Sequence, residues 1–190
     1  MSPGIPPTFV TSNPGKFREA VEILGIPLKQ ASLDLPEIQE LDVAAVARDK
    51  ARKAFARLNT PILVEDTSLG FDALGGFPGP LVKWLLQAAG PASLCRLGAA
   101  GGDTRAVARC VALIWDGTRE FLGEGTVFGR IVAEPRGDQG FGWDAVFSPE
   151  WGNGRTYAEM PAAEKNTRSH RTLALLNLKQ QLLKDASGQS

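Results

Sequence analysis

Apolar residues near the start of the chain are spaced first as a strand and then as helices. Residues 8–10 are β-branched or aromatic, and they lead into Thr11-Ser12-Asn13-Pro14-Gly15, a sequence typical of a turn. Residues 16–24 and 43–58 place apolar side chains three and four positions apart, which predicts two amphipathic helices. The apolar run at residues 62–64 predicts another short strand. This alternation of strands and helices is typical of an α/β fold.

The rest of the chain contains an antiparallel region and a long C-terminal helical pattern. Asp116-Gly117 separates two strand-like runs and predicts a hairpin. The other expectations are a strand and loop at 33–40, an irregular region at 70–80, helices at 81–89, 91–97 and 162–184, strands at 106–115, 120–127, 130–133 and 146–147, a surface turn at 98–103, and a frayed end at 185–190. The order predicts an α/β protein with a mixed sheet, in which the hairpin extends as a second lobe beside a cleft.

Composition excludes several classes of function. The chain has 190 residues, which suffices for a substantial core, and its 21 basic residues balance 21 acidic ones. A neutral chain is not expected to bind nucleic acid in general, so any phosphate site requires local clustering of charge. No apolar run is long enough to span a membrane, and residues 1–10 do not resemble a signal peptide. Two cysteines without a CxxC motif fit a reducing compartment, and we expect a cytoplasmic protein.

The loop that follows the first predicted strand is a candidate anion site. It leads into a helix, whose N-terminus offers backbone N–H groups and a positive dipole end. Thr11 and Asn13 add polar side chains, and Lys16 adds a positive charge. The loop is not a Walker motif, because Val10 stands at the first glycine position and Phe17 follows the lysine. The alternative is a plain helix cap with a surface lysine.

Acidic residues in two segments are candidate metal ligands. Glu37 follows a proline in a predicted loop, and Glu65 and Asp66 follow the apolar run at 62–64. Asp66 is therefore expected at the carboxyl end of a strand, where open α/β sheets bind ligands. Such carboxylates could bind Mg²⁺ or accept a proton from water. The alternatives are a solvated Glu37 and a helix cap formed by Asp66 or Thr67.

A late segment offers aromatic and basic side chains that suit a nucleobase. Phe141 and Trp143 flank Gly142 and precede Asp144, so a flat ring could stack on a base beside polar groups. The alternative for both rings is core packing. His170 is the only histidine and is a poor zinc candidate without acids or cysteines at ligand spacing; its alternative is a surface ring or a hydrogen-bonded one near a helix start.

These segments together resemble the ITPase family, the inosine and xanthosine triphosphate pyrophosphatases. The matching sequences, in the order of the family, are TSNPGK, LDLPE, VEDTSLGFDALGGFPGP with KW behind it, FGWD, TYAEM and EKNTRSHR. The joint match covers nearly the whole chain. The resemblance implies a single domain at 1–190, with an elongated mixed β-sheet, flanking helices and two lobes around a central cleft.

The resemblance also implies an activity and a set of site residues. The activity is Mg²⁺-dependent hydrolysis of ITP, dITP and XTP to the monophosphate and pyrophosphate by a cytoplasmic homodimer, with Mn²⁺ as a possible substitute. Glu37 and Asp66 are the implied metal ligands, and Asp66 is also the implied general base. Those two acids and Lys16 make up the implied catalytic set. The implied substrate-binding residues are Thr11, Asn13, Lys16, Lys50, Asp66, Thr67, Phe141, Gly142, Trp143, Asp144, Lys165, His170 and Arg171.

Two other functions stay open at this point. A Maf-type pyrophosphatase would share the fold and favour other nucleotides, but the segment EKNTRSHR argues against it. A nucleotide-binding sensor without turnover would need no carboxylate to activate water, so Glu37 and Asp66 argue against that function. For this protein we expect a small-molecule nucleotide as the substrate, and neither nucleic acid nor a membrane as a partner.

Overall fold

The computed structural model describes residues 5–187. The helices are α1 (Pro14–Leu24), α2 (Val43–Leu58), α3 (Val82–Ala89), α4 (Ala92–Gly101), α5 (Ala162–Arg168) and α6 (His170–Ser187). The strands are β1 (Thr8–Val10), β2 (Lys29–Ala31), β3 (Ile62–Phe71), β4 (Pro78–Gly79), β5 (Arg105–Trp115), β6 (Glu120–Ile131) and β7 (Phe147–Pro149). No helix within the described range has both the length and the apolar character needed to cross a membrane.

All seven strands belong to one mixed sheet, as the sequence predicts. Six of them follow the order β2-β1-β3-β5-β6-β7, and β4 pairs with β3 beside this path. β1 is parallel to both of its neighbours, whereas β3, β5 and β6 form an antiparallel centre. Helices α1 and α6 cover one face of this centre and α2 covers the other. The predicted division of residues 1–190 into two lobes stays a prediction.

β3 is much longer than the three-residue strand predicted from its apolar start. It pairs with β5 from Ile62 opposite Trp115 to Phe71 opposite Ala106. Backbone pairing with β5 therefore carries the strand through four polar residues that the hydrophobic pattern does not reveal. Asp66 consequently lies in the middle of β3, and the prediction that it ends the strand was wrong.

The edge of β3 that faces β1 is open in its middle. β1 pairs with β3 only at Ile62 and Leu63, because β1 ends at Val10. On the same side, β4 pairs only with Leu69 and Gly70. Residues 64–68 thus have no strand partner on this edge within the described part of the chain. Successive side chains on a strand point to opposite faces, so Glu65 and Asp66 diverge here.

Three other predicted boundaries were wrong for physical reasons. Residues 33–40 contain no strand, because side chains of α2 hold two carbonyls there: Lys53 donates to Pro36 O at 2.8 Å and Arg57 donates to Asp34 O at 2.7 Å. The helix predicted at 91–97 continues to Gly101, so the expected turn at 98–103 is helical in its first half. The strand predicted at 130–133 begins as the end of β6.

The long helix predicted at 162–184 is two helices. Ser169 is extended, with φ −69° and ψ 156°, and its hydroxyl accepts a hydrogen bond from Thr172 N at 3.1 Å. This contact caps a new helix, α6, which begins at His170. The end expected to be frayed from residue 185 is helical to Ser187, and residues 188–190 lie outside the described range.

Two glycines on β6 let α6 lie directly against the sheet. A Cβ atom on Gly123 would lie 2.2 Å from Ala174 O, and one on Gly125 would lie 2.0 Å from His170 O. Because no side chain separates the backbones, the first turn of α6 is held close to the central strands. That turn carries His170 and Arg171.

Candidate active site

One cavity of about 530 Å³ opens where the edge of β3 is unpaired. It joins the loop before α1, the segment before α2, the middle of β3, the loop before β7 and the start of α6. Nearly all of the residues singled out from the sequence line it: Thr11, Asn13, Lys16, Glu37, Lys50, Asp66, Thr67, Phe141, Gly142, Trp143, Asp144, His170 and Arg171. Segments far apart in the chain therefore share one hollow.

The loop before α1 is organised by its own side chains. Asn13 Oδ1 accepts hydrogen bonds from Gly15 N at 2.8 Å and Lys16 N at 3.2 Å, and Thr11 Oγ1 accepts one from Asn13 N at 3.1 Å. Asn13 is therefore a helix cap, as one alternative held, and it caps a helix whose N-terminus faces the cavity. Lys16 is not a free surface lysine, because its Nζ lies 3.0 Å from Glu65 Oε1.

Lys50, on α2, lies between the two predicted metal ligands. Its Nζ is 3.1 Å from Asp66 Oδ1 and 3.6 Å from Glu37 Oε1. Burial disfavours its charged form, but attraction to Asp66 and Glu37 outweighs burial and raises the pKa of Lys50. Both carboxylates thus face a common point, and Glu37 is not simply solvated.

The pKa values of the two carboxylates at this point are shifted in opposite directions. Burial raises the pKa of Asp66, with only partial opposition from Lys50. Burial also opposes ionisation of Glu37, but Lys83 and Lys50 outweigh it and lower the pKa of that carboxyl. Asp66 is therefore the better proton acceptor of the pair.

Lys83 is a cavity residue that the sequence analysis did not single out. It lies in the first turn of α3, and its Nζ is 3.0 Å from Glu37 Oε2. The side chain is about half exposed. Its position follows a Gly- and Pro-rich segment whose path the sequence pattern does not determine, and the KW pair behind the long matching motif is the signal that could have found it.

The carboxylate pair suits a hard divalent cation. Asp66 Oδ2 is buried and has no hydrogen-bond partner within the described structure, which leaves an acceptor that a cation would satisfy. No cluster of three or more His, Cys, Asp or Glu side chains suited to a metal occurs among residues 5–187. A site with two protein carboxylates matches Mg²⁺, which commonly keeps waters and substrate phosphates as its other ligands.

Glu65 belongs to a different cluster from Asp66, so the predicted pair of acids is divided. Glu65 Oε2 accepts from Arg171 Nε at 2.8 Å, and its Oε1 accepts from Arg171 Nη2 at 3.0 Å. Glu65 Oε1 also lies 3.0 Å from Lys16 Nζ. Burial opposes its charge, but Arg171 and Lys16 outweigh burial and hold the pKa of Glu65 well below its usual range. Strand alternation after residue 64 was the one sequence signal for this division.

Arg171 is enclosed by carboxylates. Its side chain is 2% exposed, and its Nη1 also donates to Glu19 Oε2 at 3.3 Å. These partners raise the pKa of Arg171 against the opposing effect of burial. A guanidinium has five N–H donors, and the bonds to Glu65 and Glu19 use three of them, so two are left for a further acceptor.

The two aromatic residues of the FGWD segment have different environments. Phe141 is 46% exposed at the cavity, so core packing does not describe it. Its ring lies near two cations, with centroid distances of 5.2 Å to Lys165 Nζ and 5.4 Å to Arg171 Cζ. Trp143 is buried and packs edge-on against Phe147, as the core alternative held, although it also borders the cavity.

Lys165 supports the FGWD segment from behind the cavity wall. Its Nζ lies 2.6 Å from Asp144 Oδ2, which also accepts a hydrogen bond from Phe141 N at 2.9 Å. Lys165 is buried and is not among the residues that line the cavity. Its direct contact with a nucleoside therefore stays a prediction.

His170 is a buried ring, so the surface alternative was wrong. It stacks on Tyr157, with centroids 6.0 Å apart and planes at 17°, and lies 5.0 Å from the Trp143 ring. Burial, together with repulsion from Arg171, holds the pKa of His170 well below its usual range. The imidazole is therefore neutral near pH 7, and its buried Nδ1 has no partner in the described structure.

The fold and the cavity together define a mixed α/β protein with a polar site built from lysines of three helices, two facing carboxylates and an exposed aromatic ring. The sequence model of the Ham1 family matches residues 7–181, and the chain belongs to this family. The resemblance to the ITPase family is thereby confirmed.

Two relatives cover nearly all of the chain. It is 49% identical over 178 residues to inosine triphosphate pyrophosphatase 2 of Trypanosoma cruzi (strain CL Brener), covering 90% of this chain and 89% of the relative. It is 44% identical over 179 residues to inosine triphosphate pyrophosphatase of Giardia intestinalis (strain ATCC 50803 / WB clone C6), covering 92% and 91%.

Solved structures share the fold. A HAM1 protein from Coxiella burnetii aligns with a TM-score of 0.84 at 27% identity, over 95% of this chain and all of that one. The nucleoside-triphosphatase, or dITP/XTP pyrophosphatase, of Mycobacterium abscessus aligns with a TM-score of 0.71 at 28% identity, over 88% of this chain and 95% of that one. The predicted mixed α/β sheet with flanking helices is thus confirmed.

Proposed function

We propose that this protein hydrolyses the non-canonical purine nucleoside triphosphates ITP, dITP and XTP to the monophosphate and pyrophosphate. The observation that carries this proposal is the single cavity in which a basic helix N-terminus, two facing carboxylates and an aromatic wall converge. The names of the relatives support the same reaction.

The phosphate tail belongs at the end of the cavity nearest α1. A nucleoside triphosphate carries about four negative charges near neutral pH, so a polyanion site needs local cations in a neutral chain. Lys16, Lys50 and Lys83 supply such cations, and the positive dipole end of α1 faces the same cavity. Each of these lysines is paired with a carboxylate, which keeps the site neutral before substrate arrives.

A divalent cation, Mg²⁺ or as a substitute Mn²⁺, would be held by Glu37 and Asp66. When bound, it would neutralise charge on the phosphates. Asp66 is then the carboxylate that accepts a proton from the attacking water. The water oxygen forms a bond to the α-phosphorus, the bond from that phosphorus to the bridging oxygen breaks, and pyrophosphate leaves. Such transfers depend mainly on positioning and charge stabilisation.

Base selection belongs at the other end of the cavity. Hypoxanthine and xanthine carry an oxygen at C6, whereas adenine carries an amine there. The two remaining N–H groups of Arg171 favour the oxygen and repel the amine, and Phe141 supplies an exposed ring for stacking. A mispaired buried polar group costs about 1–3 kcal/mol, which is roughly a ten- to hundredfold discrimination. Neutral His170 adds a hydrogen-bonding group without a charge.

The biological setting completes the proposal. The protein acts in the cytoplasm as a homodimer that clears damaged purine nucleotides, and its two lobes enclose the cavity. Light scattering after size exclusion tests the dimer, because a monomer has a mass of 20.3 kDa. A monomer at micromolar concentration would contradict this part.

One assay tests the activity. ITP, dITP, XTP, GTP and ATP are supplied with Mg²⁺, and the released product is identified. Pyrophosphate release from ITP, dITP and XTP, well above that from GTP and ATP, is the expected result. Orthophosphate would indicate an ordinary nucleoside triphosphatase, preference for another nucleotide would favour Maf-type specificity, and no product would favour a sensor.

A further inference from the structure

One buried carboxylate touches both functional ends of the cavity. Glu65 forms two parallel hydrogen bonds with Arg171, at 2.8 and 3.0 Å, and an ion pair with Lys16 at 3.0 Å. Arg171 lies at the proposed base end, and Lys16 lies at the proposed phosphate end. The Glu65 side chain is 1% exposed, so water weakens its contacts less than those of a surface pair.

The cluster is larger than packing alone requires. Apolar side chains of similar volume could fill such a space, and buried ion pairs are often no more stabilising than those replacements. Here two cations, Lys16 and Arg171, meet two carboxylates, Glu65 and Glu19. Of these two carboxylates, Glu65 is the one that contacts both cations, so a change at one end can reach the other end through it.

The two contacts of Glu65 have opposite effects on a bound nucleotide. The paired bonds to Arg171 fix the plane of the guanidinium, because a carboxylate and a guanidinium match in geometry. A fixed plane favours discrimination at the base. At the other end, the negative charge of Glu65 competes with phosphate for Lys16 and repels the tail.

We propose that Glu65 is a positioning and specificity-determining residue, which raises discrimination between bases while lowering affinity for the phosphate tail. This inference rests on the proposed function. Glu65 does not touch the reacting atoms in this account. It acts through Arg171 and Lys16.

The test variant is Glu65→Gln, which keeps the size of the side chain and removes its charge. The glutamine offers one oxygen to Arg171 and turns an NH₂ group toward the other donor, so the guanidinium loses one of its two bonds. Lys16 loses its counter-ion. We expect the ratio of kcat/KM for ITP over ATP to fall by roughly tenfold or more. We expect tripolyphosphate, measured by calorimetry, to bind about threefold more tightly.

A matched control separates positioning from stability. The control is Thr172→Val, and Thr172 directly follows Arg171 on α6. This variant removes the hydrogen bonds of the Thr172 hydroxyl to Ser169 and Asn166 without changing charge. We expect it to lower the melting temperature but to leave the ITP-to-ATP ratio and tripolyphosphate affinity within twofold of wild type. A second variant, Glu65→Asp, keeps the charge but shortens its reach. Glu65→Asp should lower the ITP-to-ATP ratio and leave the affinity for tripolyphosphate within twofold of wild type. If Glu65→Gln does not fold, the ratio measured for Glu65→Asp tests the positioning role.

The outcomes are distinct. A lower ITP-to-ATP ratio of kcat/KM together with tighter binding of tripolyphosphate in Glu65→Gln supports the inference. Unchanged values, or a parallel weakening of both, overturn it and leave Glu65 with a structural role only. If the wild type releases no pyrophosphate, the proposed function fails, and the relative affinities of IMP and AMP in the same variants then decide the role of Glu65.

Discussion

Glu65 and Asp66 are adjacent carboxylates on one strand, yet the structure gives them opposite properties. Glu65 accepts from Arg171 and Lys16, and its pKa is lowered. Asp66 has one lysine partner and one buried oxygen without a partner, and its pKa is raised. Burial disfavours both charges, so the difference comes from the number and placement of the cations.

The comparison shows how one strand can serve two parts of a site. Because β3 lacks a strand partner at residues 64–68, side chains on both of its faces reach the same cavity. Glu65, whose two oxygens are both paired with cations, is suited to holding other groups in place. Asp66, which has one buried oxygen without a partner in the described structure, is suited to accepting a proton or a cation. The following predictions test this division.

The largest effect is expected for Asp66→Asn. An asparagine cannot accept the proton or carry the charge that a cation requires, so turnover of ITP should fall by about 10²- to 10⁴-fold. The melting temperature should barely change, because the asparagine oxygen can still accept a hydrogen bond from Lys50 and burial disfavours the charge that is removed. Pyrophosphate release and thermal unfolding measure the two quantities. The control is Asp103→Asn, which removes a surface pair with Arg105. Near-normal turnover in Asp66→Asn would end its assignment as the base.

The second prediction concerns stability rather than turnover. Arg171→Ala removes the main partner of a fully buried carboxylate, and leaving such a charge poorly compensated costs about 3–5 kcal/mol. Urea unfolding measures this loss. Arg155→Ala is the comparison, since its pair with Glu164 is exposed and solvent screening leaves such a pair with little effect on stability. Equal losses in the two variants would show that the Glu65 cluster contributes no more than a surface pair.

The pH dependence of stability should distinguish the two carboxylates. The pKa of Glu65 is lowered from 4.5, so its stabilising contribution is present above pH 4.5 and is lost as the pH falls below it. The difference in unfolding free energy between wild type and Glu65→Gln should therefore shrink by about 1.4 kcal/mol from pH 6.5 to pH 3.5.

Asp66 should show the opposite sign over the same interval. Its pKa is raised, so its stabilising contribution is present at low pH and is lost as the pH rises through the folded-state pKa. The difference between wild type and Asp66→Asn should thus grow on acidification. Urea unfolding at several pH values measures both. If the two differences change in the same direction, the contrast between the neighbours is wrong.

The sequence revealed which segments meet in the cavity but not how their side chains pair. Local patterns sufficed for α2 and for the β5–β6 hairpin, because helical periodicity and the Asp-Gly turn are short-range signals. The motif resemblance brought together Lys16, Glu37 and Asp66, which do share a hollow. The site assignments that depend on substrate contact stay predictions.

The missed features depend on long-range contacts. The length of β3 is set by its pairing with β5, so the separation of Glu65 from Asp66 follows from a partner some forty residues away. The break at Ser169 is set by a side-chain cap that replaces a helical hydrogen bond, and helical periodicity continues across it. The neutral state of His170 follows from the rings and charges around it.

The smallest effect is expected for Lys83, the exposed lysine that pairs with Glu37 in the cavity. Its side chain is about half exposed, so solvent weakens its attraction to phosphate far more than that of a buried cation such as Arg171. Lys83→Met should raise KM for ITP by about tenfold or less, which corresponds to about 1.4 kcal/mol, and should leave kcat nearly unchanged. Steady-state kinetics at low and high salt measure this change in KM, because screening should reduce the difference between wild type and variant.

The control is Lys184→Met, which replaces an exposed lysine away from the cavity and should change neither KM nor kcat. A large loss of kcat in Lys83→Met would instead place Lys83 with Asp66 in the chemical step, and the division between buried and exposed charges would have to be redrawn.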